Sequence, residues 1–193
     1  MKKKKLTLRQ RLVRLGAPAV LIPGLVLAMV LGWNAKELWQ IRNFYENEAI
    51  FPKSGLAGEA IDGDNFYLNN DQSIRLIGTN APDRGETDFE KAKNTLNSLV
   101  GGKKVYLEYD RYQDDKYGRI MAWVWVSCET KPNFLPADYM RLSFNRSRPG
   151  LKDNPDGCKQ GKLVNEAMIR AGLAEVETYK DRGELKYEAR LRN

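Results

Sequence analysis

Along the chain after Ser54 the spacing of apolar residues changes in an ordered way. Leu56–Ile61 and Asn65–Leu68 read as short strands on either side of an Asp62-Gly63-Asp64 turn. Ser73–Gly78 is a third strand, with Ile74 and Leu76 on one face. The period then lengthens: Phe89, Ala92, Leu96 and Leu99 recur at helical spacing and predict a helix over Asp88–Val100, stopped by Gly101-Gly102. In Lys103–Tyr109, Val105, Leu107 and Tyr109 alternate with polar partners, which predicts a strand. Arg119–Val126 is apolar on both faces, with Ile120, Ala122 and Val124 on one and Met121, Trp123 and Trp125 on the other. Lys162–Ala171 reads as a second amphipathic helix closed by Gly172, and Arg182–Arg192 as a third. Five short strands with a helix after the third predict an α+β fold, a five-stranded Greek-key barrel of the OB type with about three helices.

Residues 127–161 break this economy. A strand ending at Val126 and a helix starting near Lys162 need only a short connection, yet 35 residues rich in Pro, Asn, Asp and Arg separate them. Loops of that length are usually functional or disordered. The chain's two cysteines, Cys128 and Cys158, stand at its ends, and outside the cytoplasm a disulfide between them would pinch the loop at its base.

The charge of the whole chain misleads. It is +7 with a pI near 9.3, which suggests a nucleic-acid binder. Seven basic side chains, however, fall in residues 1–14 with no acid among them, and the remaining 25 basic residues match the 25 acidic ones. From Leu15 onward the net charge is zero, so affinity for nucleic acid must come from a local patch. Residues 15–35 carry no charge, and 21 residues of helix span roughly the ~30 Å core of a bilayer. This predicts a transmembrane helix over 15–35 with a basic cytoplasmic tail over 1–14 and the remainder outside. A cleaved signal peptide is the competing reading; the length of the span and the lack of a small-x-small site favour an uncleaved anchor. Residues 36–54 then read as a linker and 55–193 as one domain.

Three clusters in that domain carry candidate chemistry. Asp62 and Asp64 flank a turn glycine that lets a carboxylate point into a cleft. Arg75 lies between Ile74, Leu76 and Ile77, where a charge must find a partner. Arg119 closes an Asp115-Lys116-Tyr117-Gly118 turn at a strand start. Each cluster alone has an ordinary reading: a hairpin turn, a structural ion pair, a solvated edge charge. Together, carboxylates that can hold a hard cation and guanidiniums that can fork onto phosphate oxygens suit phosphodiester cleavage.

With Ile61-Asp62-Gly63-Asp64, Ile74-Arg75-Leu76-Ile77-Gly78, Ala81-Pro82, Asp115-Lys116-Tyr117-Gly118-Arg119 and Leu163-Val164-Asn165-Glu166-Ala167, the chain resembles the staphylococcal-nuclease-like (thermonuclease) family from about Ala60 to Arg192, apart from the long loop. The resemblance implies an OB-type barrel that cleaves DNA and RNA with calcium. It implies that Asp64 is a metal carboxylate, Asp62 a nearby acid behind it, and Ala81 a donor of its backbone carbonyl. Asn80 falls where a second metal carboxylate is expected, which removes one negative charge from the calcium site. Asp83 falls where a glutamate is expected to orient or deprotonate water, and is about 1–1.5 Å shorter in reach; Glu86 is a possible substitute. Arg75 and Arg119 match the phosphate-binding arginines. Tyr117 and Tyr179 are candidates for base stacking, with ordinary packing as the alternative. Two functions follow: a membrane-anchored nuclease acting on single-stranded DNA or RNA, or a non-catalytic OB module that binds a protein or nucleic-acid partner through the 127–161 loop.

Overall fold

The computed structural model describes residues 27, 29, 32, 50–134, 157–158, 160–179 and 183–193. The expected basic tail, nearly all of the expected membrane span, most of the linker and residues 135–156 of the long loop lie outside the described residues. Among those described, no helix is long and apolar enough to cross a membrane. The chain divides into units of residues 1–46 and 47–193, and the fold that follows belongs to the second.

Five strands build that unit: β1 (Ser54–Ala60), β2 (Asn65–Leu68), β3 (Ser73–Leu76), β5 (Lys104–Glu108) and β6 (Ile120–Val126). They run in the order β3-β2-β1-β5-β6, all neighbours antiparallel, and β3 pairs back onto β6 in parallel with Ile74 opposite Ile120 and Leu76 opposite Ala122. The sheet therefore closes into a five-stranded barrel of OB type. A two-residue strand, β4 (Thr79–Asn80), pairs with β8 (Glu175–Val176), and β7 (Lys162–Leu163) adds to the edge of β6. Among the described residues three helices pack on the barrel: α1 (Phe89–Val100), α2 (Val164–Arg170) and α3 (Glu188–Leu191).

The double apolar face of β6 has a direct cause. Ile120, Ala122, Val124 and Val126 join Phe66, Leu76, Val105 and Leu107 in the barrel core, which α1 and α2 cover. Met121, Trp123 and Trp125 face the other way and pack with Leu163, Leu185, Tyr187 and Leu191 in a second cluster. A strand buried on both sides has no polar face to show. Full burial of each large core side chain contributes about 1.5–3 kcal/mol.

Polar side chains tie the helices and the C-terminal segment to the barrel. The buried Asn165 at the start of α2 accepts from the Val124 N–H (2.9 Å) and donates to the Ile77 carbonyl (2.8 Å), so one amide spans β6 and the end of β3. Glu108 is fully buried and accepts from Trp125 Nε1 (2.8 Å), Tyr187 Oη (3.0 Å) and Lys186 Nζ (2.5 Å). Burial pushes its pKa up against the pull of Lys186. Asp110 accepts from Trp123 Nε1 (2.9 Å) and the Lys186 N–H (2.7 Å).

Several elements differ from their expected bounds. Lys162 and Leu163, expected to open the second helix, extend as β7 because Leu163 pairs with Trp125. The third helix is confined to 188–191, since the strand of chain before it serves the Asp110 and Glu108 contacts. Phe51, expected in the linker, is buried against Tyr109 at 5.8 Å between ring centroids. Cys128 and Cys158 form a disulfide, with 5.2 Å between Cα atoms, beside the second cluster.

Candidate active site

The turn between β1 and β2 is shaped by its acids. The Asp62 carboxylate accepts from the Asp64 N–H (3.0 Å) and from Asn65 Nδ2 (2.8 and 2.9 Å). Gly63 is required by closeness: a Cβ there would stand 2.5 Å from the Ala81 Cβ and 2.6 Å from that of Ala92. The absent side chain lets the turn press against α1 and the segment after β4, which brings Asp64 to Ala81.

Register delivers Arg75 to the same place. Asn65 lies opposite Arg75 across β2 and β3, and the Leu76 N–H donates to the Asp64 carbonyl at 2.8 Å. Arg75 Nη1 then donates to Asp64 Oδ1 at 2.7 Å. Asn65 Nδ2 donates to the same oxygen at 2.6 Å, and the Ala81 N–H donates to Oδ2 at 2.9 Å. Asp64 is nevertheless only 3% exposed, and burial pushes its pKa up to about 7 against the pull of Arg75.

Arg119 reaches the cluster from the other side. Asp115 accepts from Arg119 Nε (2.6 Å) and from the backbone N–H groups of Tyr117 (2.8 Å) and Arg119 (3.0 Å), so one carboxylate orders the whole turn. Arg119 Nη1 donates to Asn65 Oδ1 at 3.1 Å. The result is one hydrogen-bonded chain: Arg75, Asp64, Asn65, Arg119, Asp115. Both arginines line a cavity of about 300 Å³. Tyr117 lies at its edge, 71% exposed, with Arg119 Cζ at 5.2 Å from its ring. Tyr179 also lines it, packs on Tyr112 at 5.3 Å and donates from its hydroxyl to Glu177 at 3.1 Å.

The structure thus brings together Asp62, Asp64, Arg75, Asn80, Ala81 and Arg119, with both tyrosines beside them. It does not join Asp83 to them. Asp83 is exposed, its N–H donates to Glu86 Oε2 (2.8 Å), and among the described residues its side chain touches neither arginine. Two residues of the cluster escaped the sequence reading. Asn65 had a faint signal, a polar residue opening a strand directly after the acidic turn. Glu177 had none: its carboxylate lies 3.4 Å from Arg75 Nη2 only because β8 pairs with β4.

A calcium ion is matched by type but not by arrangement. Asp64, Asn80 and the Ala81 carbonyl offer the hard oxygens calcium takes. However, Arg75 Nη1 and Nη2 reach Asp64 Oδ1 (2.7 Å) and Asn80 Oδ1 (3.4 Å), so the guanidinium stands between the two oxygens a cation would share. Among the described residues no group of three acidic, His or Cys side chains is placed to hold a metal. As arranged here, these residues do not fit the ion.

The fold is a closed OB-type barrel, and its site sets two arginines around a buried carboxylate. The chain belongs to the staphylococcal nuclease homologue family, whose model matches residues 73–193. The match begins after Asp62, Asp64 and Asn65, whose place in the cluster rests on the geometry above. The chain is 34% identical over 86 residues to a thermonuclease of Staphylococcus intermedius, covering 40% of this chain and 51% of that one. It is 32% identical over 78 residues to a thermonuclease of Staphylococcus hyicus, covering 36% and 46%. An uncharacterized endonuclease of Escherichia coli is 27% identical over 125 residues, covering 63% and 60%. The chain spans about half the length of the thermonucleases it matches.

Proposed function

We propose that this domain hydrolyses phosphodiester bonds of single-stranded DNA or RNA. The observation that carries the reading is the hydrogen-bonded chain from Arg75 through Asp64 and Asn65 to Arg119, which presents two guanidiniums to one cavity. Paired arginines fork onto phosphate oxygens and stabilise charge that builds on phosphorus in the transition state. Asp83, exposed and apart from the arginines, is assigned to the attacking water, with Glu86 beside it. Tyr117 and Tyr179 supply ring faces for bases.

For calcium the reading expects weak binding. A cation at Asp64 must displace Arg75, and Asn80 brings an amide where a carboxylate would add charge. Asn80→Asp is expected to tighten calcium binding, measured by titration without substrate. For location, the basic cluster at 1–14 and the uncharged span 15–35 support a domain outside the cytoplasm on a membrane tether. Protease added to spheroplasts is expected to remove it; protection until lysis would refute the placement.

The test of activity is hydrolysis of single-stranded DNA and RNA by the purified chain, with and without calcium. Cleavage lowered by about 10²–10³-fold, and still measurable, is expected in Arg75→Ala and Arg119→Ala. A second reading, a binding module without catalysis, is favoured by the neutral charge beyond Leu15 and the separation of Asp83 from the arginines. A wild-type chain that binds these strands and leaves them intact would establish it.

A further inference from the structure

We infer that Asn65 is a positioning residue that sets Asp64 and Arg119 relative to each other, an assignment that rests on the nuclease reading above. Its amide is the only group in the chain of contacts that both donates and accepts there. Nδ2 donates to Asp64 Oδ1 at 2.6 Å and to Asp62 Oδ1 and Oδ2 at 2.8 and 2.9 Å. Oδ1 accepts from Arg119 Nη1 at 3.1 Å. A planar amide offers a donor edge and an acceptor edge at fixed separation. It can therefore face carboxylates with one side and a guanidinium with the other.

Burial makes the role hard to replace. Asn65 is 2% exposed, so shortening its side chain takes a hydrogen-bond partner from Asp64 and Arg119 inside the fold. Its position is set by backbone pairing with Arg75, and the neighbouring Phe66 sits in the barrel core. Arg119 is held at two points, Nε by Asp115 and Nη1 by Asn65. No hydrogen bond among the described residues uses its Nη2, which leaves that group for a phosphate oxygen. An aspartate at this position would keep the acceptor for Arg119 and place a third carboxylate against Asp62 and Asp64. An alanine would leave Asp115 as the one side chain that hydrogen-bonds Arg119 among the described residues.

The experiment combines a double-mutant cycle with a readout that needs no catalysis. Hydrolysis of single-stranded DNA is measured for wild type, Asn65→Ala, Arg119→Ala and the double variant. Misplacement near 1 Å can lower a rate by about 100-fold. A loss of that order in kcat is expected for Asn65→Ala on the wild-type background, falling to less than about threefold when Arg119 is already alanine. Equal losses on both backgrounds would mean a merely structural role and overturn the assignment. In parallel, nitrogen NMR of the arginine side chains follows rotation of the Arg119 guanidinium. It is expected to be restrained in wild type and averaged in Asn65→Ala, while Arg190, paired with Glu166, stays unchanged. An Arg119 as restrained in the variant as in wild type would overturn the assignment. If Asn65→Ala does not fold, Asn65→Asp takes its place: Arg119 stays restrained and kcat still falls, whereas an unchanged kcat overturns it. A wild-type chain that cleaves nothing removes the nuclease reading instead, and the NMR comparison then decides alone whether Asn65 positions Arg119.

Discussion

At the scale of single residues, the site is a balance of charges around Arg75. The guanidinium meets Asp64 at 2.7 Å and Glu177 at 3.4 Å, so on the proposed function a substrate phosphate would compete with a resident carboxylate for the outer nitrogen. Glu177→Gln removes that competitor and keeps an oxygen for the Tyr179 hydroxyl. Its KM for single-stranded DNA is expected to fall roughly fivefold, the equivalent of ~1 kcal/mol, with kcat little changed. Steady-state kinetics checks this, and an unchanged or higher KM would refute it. The need of Arg75 for a partner could be read from its apolar neighbours in sequence. Which acids answer that need could not, because Asp64 is brought by strand register and Glu177 by a strand pair of only two residues.

At the scale of elements, the apolar pattern located β2, β3, α1, β5 and β6 to within about two residues, because the first four carry an apolar stripe of the right period and β6 is a short continuous apolar run. It failed where an element is held by partners rather than by its own pattern. Lys162 and Leu163 continue the helical stripe of α2, yet pairing with β6 draws them into a strand. The last segment is held by Lys186 and Tyr187, both of which reach the buried Glu108. Lys186→Met leaves that carboxylate without its cation. A loss of about 3 kcal/mol in unfolding free energy is expected, measured by urea denaturation, since breaking a buried pair typically costs 3–5 kcal/mol. A change near zero would show that the Trp125 and Tyr187 donors suffice.

The junction of α2 and α3 is a pH-dependent counterpart. Glu166 pairs with Arg190 at 2.5 Å and Arg170 at 2.7 Å, and the Arg190 hydrogen bond holds its carboxyl below the ordinary value of 4.5. A depressed acid stabilises the fold above its unfolded pKa and stops doing so as pH falls through the folded one. The wild-type advantage over Glu166→Gln is therefore expected at neutral pH and should vanish in strong acid. It should stay under about 1 kcal/mol, because both arginine heads are solvated. Thermal melts from neutral to strongly acid pH follow the difference; an advantage that grows toward acid would reverse the sign.

At the scale of the whole molecule, the closures matter most. The Cys128–Cys158 disulfide closes 30 residues of chain beside the second core cluster. Loop-closure entropy for that length gives about 3.5 kcal/mol of stabilisation. The double change Cys128→Ala/Cys158→Ala is expected to lower Tm by several degrees while strand signals in circular dichroism persist. A melting curve identical to wild type would refute it. The other closure, β3 onto β6, is parallel and joins segments 46 residues apart, Ile74 to Ile120. From the chain alone one can derive the apolar stripes, the turn chemistry around Gly63, the cysteine pair and the candidate arginines, since each depends on residues near in sequence. Long-range pairing settled the rest. Barrel closure set the distance between the two arginines, the approach at Gly63 placed Ala81 on Asp64, and the β4–β8 pair carried Glu177 to Arg75. Those are contacts between distant residues, and no local periodicity encodes which distant partner a buried polar group will meet.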